Sequence, residues 1–163
     1  MTTRILAVCA GNICRSPAAA AAIRQEAERA DLKVEVDSAG TGTWHVGDPP
    51  TPQAVAAGAR VGLEVDGRAR VINKADFDRF DMIVVMDRAN LRDVMDLAPS
   101  LEDRAKVRLF RTFDPDTDSD EVPDPYGGPD EGYDVTIAQI TAAAAGLIDT
   151  LASGGVKDSV ALE

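Results

Sequence analysis

The sequence predicts a single domain of three layers, an α/β fold in which helices flank both faces of a four-stranded parallel sheet. Three observations predict it. Short β-prone apolar runs alternate with helix-like stretches along the chain, the order that builds parallel strands joined by crossover helices. The run 82–86 is apolar at every position, as suits a strand covered on both faces. The chain has 163 residues, 45% hydrophobic and 28% charged, enough for one core and cramped for two. Residues 1–152 are expected to form the domain and 153–163 a frayed C-terminal tail. Aromatic residues are only 4%, so Ala, Val, Leu and Ile must fill the core.

Residues 4–8 read as the first strand, and Ala10, Gly11 and Asn12 make a turn after it. Ser16 before Pro17 predicts a helix N-cap followed by its first helical position, and the Ala-rich stretch 18–30 has high helix propensity. Residues 33–37 alternate polar and apolar side chains as a second strand, with a flexible turn expected over 38–42. Three prolines make 47–52 a loop leading into a helix over 53–61, which Gly62 closes. The third strand, 82–86, precedes a helix over 87–97, and 106–110 is the fourth strand. Turn residues and acids fill 114–132, a long loop of the kind that often carries function. An Ala-rich helix over 133–151 ends the domain at Ser153 and Gly154.

The net charge of −11 argues against nucleic acid or anionic lipid as a partner. Its distribution is uneven: residues 1–113 hold 16 basic and 16 acidic side chains, whereas 114–163 hold 12 acids and one base, Lys157. No apolar stretch is expected to span a membrane, which takes roughly 18 residues. The start lacks the apolar region and cleavage site of a signal peptide, so a cytoplasmic location is expected. Two cysteines cannot build a disulfide scaffold, and with one histidine they cannot supply a four-ligand zinc site.

The thiols must therefore be explained by where they stand. Ligands of open parallel sheets sit at the carboxyl ends of strands, and Cys9 occupies such an end. The loop Ala10, Gly11, Asn12, Ile13, Cys14 then enters a helix, whose free N–H groups and positive dipole end favour an anion. Arg15 adds a planar guanidinium able to grip two oxygens of a phosphate-like dianion, and the same field favours the thiolate of Cys9 as nucleophile. The competing nucleotide-binding loop needs Gly-x4-Gly-Lys-Ser/Thr, which is absent. Taken singly, Cys9 reads as a buried apolar residue, Arg15 as a surface charge, Cys14 as a small residue facing the helix, Trp44 and Tyr126 as partial core contacts, and His45 as a solvated loop residue.

The segment Val8-Cys9-Ala10-Gly11-Asn12-Ile13-Cys14-Arg15-Ser16-Pro17 resembles the signature of the low molecular weight protein tyrosine phosphatases. The segments Asp37 to Gly42, Trp44 to Gly47, Phe80 to Asp87 with Asn90 to Asp93, and Val122 to Gly127 resemble that family's segments in the same order. The resemblance covers the chain through Leu151 and implies a flavodoxin-like fold of the phosphatase I type. It implies metal-independent and cofactor-independent hydrolysis of phosphotyrosine and aryl phosphates through a phosphocysteine on Cys9, with Arg15 clamping the phosphoryl group and Asp124 as general acid and then base. Ala10, Gly11, Asn12, Ile13, Cys14 and Ser16 would surround the phosphate, Trp44 and Tyr126 would wall the cleft, and Ser38 would hold the loop with Asn12. The implied partners are a phosphotyrosine protein as substrate and inorganic phosphate as product and inhibitor, with neither nucleic acid nor membrane. In the family the cysteine at the place of Cys14 can pair with the nucleophile on oxidation.

Arginine phosphatases and arsenate reductases share the fold. Ile13 stands where the arginine-specific relatives look to have Thr, and arsenate reduction needs further cysteines that this chain lacks. A catalytically weakened phosphate-binding module is the reading from another class, and retention of Cys9, Arg15 and Asp124 together argues against it. Two positions depart from the family: Ala20 replaces a helix carboxylate, and Gly67 replaces a histidine that supports the loop network. Asp116, Asp118, Asp120 and Glu121 are expected to form an acidic lip that favours basic residues beside the phosphotyrosine.

Overall fold

The structure, a computed structural model, describes residues 2–154. Its elements run β1 (Thr3–Cys9), α1 (Arg15–Arg29), β2 (Val34–Gly40), α2 (Pro52–Arg60), α3 (Asp76–Arg79), β3 (Met82–Val85), α4 (Arg88–Leu97), α5 (Leu101–Ala105), β4 (Val107–Leu109), a 3₁₀ turn (Phe110–Phe113) and α6 (Asp130–Ala152). The four strands form one parallel sheet in the order β2-β1-β3-β4. Since β1 has β2 on one side and β3 on the other, the chain reverses its direction of growth at the carboxyl end of β1, where such sheets leave a crevice.

The buried apolar strand residues divide between two layers. Ile5, Ala7 and Cys9 of β1, with Met82 and Val84 of β3, pack under α1, α2 and α6; Leu6, Val8, Ile83 and Val85 pack on the other face with Phe77 of α3 and Val94 of α4. This period-two division explains why β3 reads as continuously apolar: every position is buried. The alanines of α1 let α6 approach closely, and Ala18 to Ala22 are all buried. Gly146 of α6 serves the same end, because a Cβ there would lie 1.8 Å from the Phe113 carbonyl oxygen.

Four sequence expectations need correction. Ser38, Ala39 and Gly40 are not a turn but the end of β2, paired with Ala7, Val8 and Cys9, and Gly40 also bridges to Val71. Ser16 is not the N-cap of α1: the cap position is Cys14, no side chain caps it, and the Ser16 hydroxyl is engaged in the site. The last helix begins at Asp130, inside the expected loop. That helix is also long and apolar enough to cross a membrane by length and composition, contrary to the expectation, yet Tyr133, Ile137, Ile140, Ala143, Ala144, Leu147 and Ile148 lie in the core. Of the expected tail, Ser153 caps α6 and Gly154 follows at φ +79; the rest lies outside the described residues.

Candidate active site

Cys9 ends β1 beneath a cavity of about 230 Å³ bordered by Gly11, Ile13, Cys14, Arg15, Trp44, His45, Asp124 and Tyr126. Its Sγ lies 3.1 Å from the Ser16 hydroxyl and accepts from the Asn12 N–H at 3.3 Å. Asn12 takes φ +59, a left-handed value that Asn tolerates better than most residues. The carbonyls of Cys9, Ala10 and Ile13 accept from the N–H groups of Thr41, Gly42 and Thr51 outside the loop. In a trans peptide the carbonyl and the next N–H point in opposite directions, so the N–H groups of Ala10, Gly11 and Cys14 are turned away from those partners. Together with the first turn of α1 they make a set of donors suited to an anion.

The Asn12 side chain fixes this turn with every polar atom in use. Its Nδ2 donates to Ser16 Oγ at 2.7 Å and Ser38 Oγ at 2.9 Å, and its Oδ1 accepts from the Arg70 N–H at 3.0 Å. Because Asn12 donates into the Ser16 oxygen, the Ser16 hydrogen is left for the sulfur or for the Ala39 carbonyl at 3.3 Å. The two family departures leave this network closed. Gly67 sits at φ +107 in open space, and Ala20 is buried.

Arg15 is 2% exposed. Its Nη1 donates to Asp87 Oδ2 at 2.7 Å and to the Val122 carbonyl at 3.0 Å, and its Nη2 stands 3.6 Å from Asp124 Oδ2. Burial pulls the guanidinium toward neutrality, but the hydrogen bond to Asp87 and the charges of Cys9, Asp124 and Asp87 outweigh it and hold the pKa above its ordinary value. Arg15 Nε is buried with no partner among the described residues. A buried donor without an acceptor is costly, and an anion in the cavity that Arg15 borders would supply one.

Asp124 lies across the mouth in the loop before α6, which Val122 ties to the sheet by donating its N–H to the Met86 carbonyl at 2.7 Å. Its Oδ1 accepts from the Tyr126 N–H at 3.1 Å and the Cys14 thiol at 3.7 Å. Burial, then the charges of Cys9 and Asp124, push the Cys14 thiol up to about 12, so at neutral pH it keeps the proton it donates to Asp124 Oδ1. Both cysteines are free.

Trp44 and Tyr126 are not core contacts: they are 72% and 57% exposed and both border the cavity. The bare backbone of Gly42 lies under the Trp44 ring, where a Cβ would come within 1.9 Å of it. His45, read from sequence as a solvated loop residue, instead lines the cavity. Its ring is tilted against Tyr126 at 5.9 Å between centroids, and its Nδ1 lies 3.2 Å from Asp48 Oδ2. The expected acidic lip is elsewhere: none of Asp116, Asp118, Asp120 and Glu121 borders the cavity, and Asp120 and Glu121 engage Arg88.

Of the residues that sequence reasoning assigns to one site, Cys9, Ala10, Gly11, Ile13, Cys14, Arg15, Trp44, Asp124 and Tyr126 border the cavity, whereas Asn12, Ser16 and Ser38 do not border it and are hydrogen-bonded to one another beside Cys9. Sequence reasoning missed Asp87, Arg70 and His45. An Asp directly after a buried strand and before a helix was the one available signal for Asp87, which also caps α4 by accepting from the Asn90 N–H at 2.8 Å.

Residues 4–157 match the family described as low molecular weight phosphotyrosine protein phosphatase. A low molecular weight protein-tyrosine-phosphatase of Streptomyces coelicolor is 43% identical over 152 residues, 91% of this chain and 93% of that protein. A low molecular weight phosphotyrosine protein phosphatase of Schizosaccharomyces pombe is 41% identical over 80% of this chain and 85% of its own. The crystal structure of a protein tyrosine phosphatase from Entamoeba histolytica, with Hepes in the active site, superposes with a TM-score of 0.90 at 34% identity, covering 93% of this chain and 98% of that one.

Proposed function

The chain belongs to the low molecular weight phosphotyrosine protein phosphatase family, and from that premise we propose that Cys9, Arg15 and Asp124 hydrolyse phosphotyrosine on protein substrates through a phosphocysteine. The observation that carries the residue assignment is a strand-end thiol and a buried guanidinium on one cavity, the guanidinium's Nε having no acceptor among the described residues. The dianion binds with its oxygens on the loop N–H groups and Arg15, and its phosphorus faces Cys9 Sγ. As the sulfur–phosphorus bond forms and the phosphorus–oxygen bond to the leaving group breaks, protonated Asp124 transfers its proton to the departing phenolate. Asp124, now a carboxylate, takes a proton from water as that water attacks phosphorus and releases Cys9 and inorganic phosphate. Ser16 donates to the sulfur and stabilises it as a thiolate leaving group.

The exposed rings of Trp44 and Tyr126 favour an aryl phosphate, which reaches the floor of the cavity between them, over a short phosphoserine. Inorganic phosphate, holding the same donors, is a competitive inhibitor. The reaction as written runs on these side chains and water alone. Two free thiols suit a reducing compartment such as the cytoplasm, and a net charge of −11 disfavours nucleic acid and anionic membranes as partners.

The test is hydrolysis of p-nitrophenyl phosphate and of phosphotyrosine, phosphoserine and phosphoarginine peptides, with chelator present. Activity should be greatest on the phosphotyrosine peptide and absent in Cys9→Ser. Turnover in Asp124→Asn should drop by roughly 10²–10⁴-fold with phosphate inhibition retained. Preference for the phosphoarginine peptide, or activity that survives Cys9→Ser, would overturn the proposal.

A further inference from the structure

The Asn12 turn is held from outside by a residue that touches neither the sulfur nor the cavity. Arg70 stands between α2 and α3, and its backbone N–H is the donor to Asn12 Oδ1. Its guanidinium is clamped. Nη1 and Nη2 donate to the two oxygens of Asp76 at 3.1 Å each, and Nε donates to Asp37 Oδ2 at 3.2 Å. Asp76 is fully buried and further fixed by the Asn73 N–H at 2.8 Å. Burial pulls Arg70 toward neutrality, but the hydrogen bonds and charge of Asp76 and then Asp37 outweigh it, so the clamp stays charged.

The second carboxylate matters as much as the first. Asp37 precedes Ser38, and its Oδ1 accepts from the Ser38 N–H at 2.8 Å. Ser38 Oγ accepts from the other end of the Asn12 amide. One residue therefore positions two of the three partners of the Asn12 side chain: its own backbone N–H at Oδ1, and Ser38, through Asp37, at Nδ2. The Arg70 carbonyl also accepts from the Gly40 N–H at 2.8 Å, which ties the same segment to the end of β2.

We infer that Arg70 is a positioning residue for the loop around Cys9, acting through Asn12: the clamp of Asp76 and Asp37 on its guanidinium sets the left-handed turn that presents the loop N–H groups to the phosphate. The inference rests on the phosphatase reading of that loop. Binding geometry is demanding, since a displacement near 1 Å costs roughly 10²-fold in rate. Arg70→Ala frees the segment and is expected to lower kcat/KM for p-nitrophenyl phosphate by roughly 10–100-fold. It should weaken inhibition by inorganic phosphate in the same direction.

The deciding measurement is a double-mutant cycle of Arg70→Ala with Asn12→Gly, glycine being chosen because it keeps the left-handed backbone while removing the side chain. If Arg70 acts through Asn12, the double variant is no worse than the lower single variant, within about twofold, for both kcat/KM and phosphate binding. Multiplying losses, or an Arg70→Ala enzyme with kcat/KM and phosphate binding within about twofold of the parent, overturn the inference. Far-ultraviolet circular dichroism checks that each variant is folded; if Arg70→Ala is not, the cycle is run on Arg70→Lys, which keeps the charge but cannot make the forked contact with Asp76. Calorimetric phosphate binding reads loop geometry independently of the nucleophile. Activity in Cys9→Ser would therefore refute the proposed chemistry, while a failed cycle in an otherwise Cys9-dependent enzyme refutes only the role of Arg70.

Discussion

Gly40→Ala is a steric probe of how tightly the end of β2 sets the loop around Cys9. The residue lies in extended strand outside the left-handed region, so alanine is free to adopt its backbone. The added Cβ, however, would sit 2.7 Å from the Ala10 carbonyl oxygen and 3.2 Å from both Asn12 Cβ and Asn12 N. Ordinary contact begins at 3.4 Å, so something must give by about 0.7 Å. β2 is poorly placed to give: the Gly40 N–H donates to the Arg70 carbonyl at 2.8 Å, and the Gly40 carbonyl accepts from the Ile72 N–H at 2.9 Å. The loop moves instead, taking Ala10 and Asn12 away from the sulfur. Scaling from roughly 10²-fold per ångström, kcat/KM should fall roughly 10–50-fold. The crowding should cost about 1–3 kcal/mol of stability, a drop of about 3–10 °C in Tm for a domain of this size. Steady-state hydrolysis of p-nitrophenyl phosphate and thermal unfolding measure the two effects. Gly132→Ala, which meets nothing within 4 Å, is the steric control: kcat/KM should stay near the parent value and stability should be unchanged or up to about 1 kcal/mol higher, since Ala favours the helix. Gly40→Ala with kcat/KM within about twofold of the parent would refute the reasoning.

Asp87→Ala leaves the buried Arg15 without its shortest ion pair and uncaps α4, and should cost roughly 3–5 kcal/mol in urea unfolding; Asp87→Asn, which keeps a capping oxygen, should cost less. Gly146→Ala drives a methyl to 1.8 Å from the Phe113 carbonyl, so despite the higher helix propensity of Ala it should lower stability by roughly 1–3 kcal/mol. The Cys14 thiol, raised from 9.0 to about 12 by burial first, stabilises the fold below about pH 9 and loses that contribution as the pH rises toward 12, because the unfolded chain gives up the proton first. The loss amounts to about 4 kcal/mol across that window, and Cys14→Ala should flatten this part of the pH dependence of urea unfolding. An unchanged alkaline limb in Cys14→Ala would contradict it.

Much of this was legible because local chemistry and tertiary position agreed. The apolar runs of β1 and β3 are read correctly since both strands are central and buried on both faces. The edge strand β2 was cut short because Ser38, Ala39 and Gly40 look like turn residues. They are small for a tertiary reason, the close approach of the loop, and their pairing with β1 is non-local. Ser16 shows the same conflict at one residue: its type and the following Pro17 signal a cap, yet its hydroxyl is taken by Cys9 and Asn12, and the loop itself enters the helix. The brief α3, α5 and the 3₁₀ turn have too few residues for a periodic signal. The site residues that sequence missed act through space. Arg70 reaches Asn12 across 58 positions and Asp87 reaches Arg15 across 72, and no spacing rule links such pairs. The acidic excess after residue 113 is visible in the sequence, but its orientation is not: Asp120 and Glu121 engage Arg88 and do not border the cavity.

The central claim is that the phosphoryl group passes through the Cys9 sulfur. The most direct test is to mix Asp124→Asn, in which general-base hydrolysis of the intermediate is removed, with p-nitrophenyl phosphate, quench in acid within the first turnover and map the modified peptide by mass spectrometry. One phosphoryl group per chain on Cys9, absent when Cys9→Ser is combined with the same change, is the predicted result. Phosphate on any other residue, or a full burst of p-nitrophenol with no covalent adduct, would contradict it.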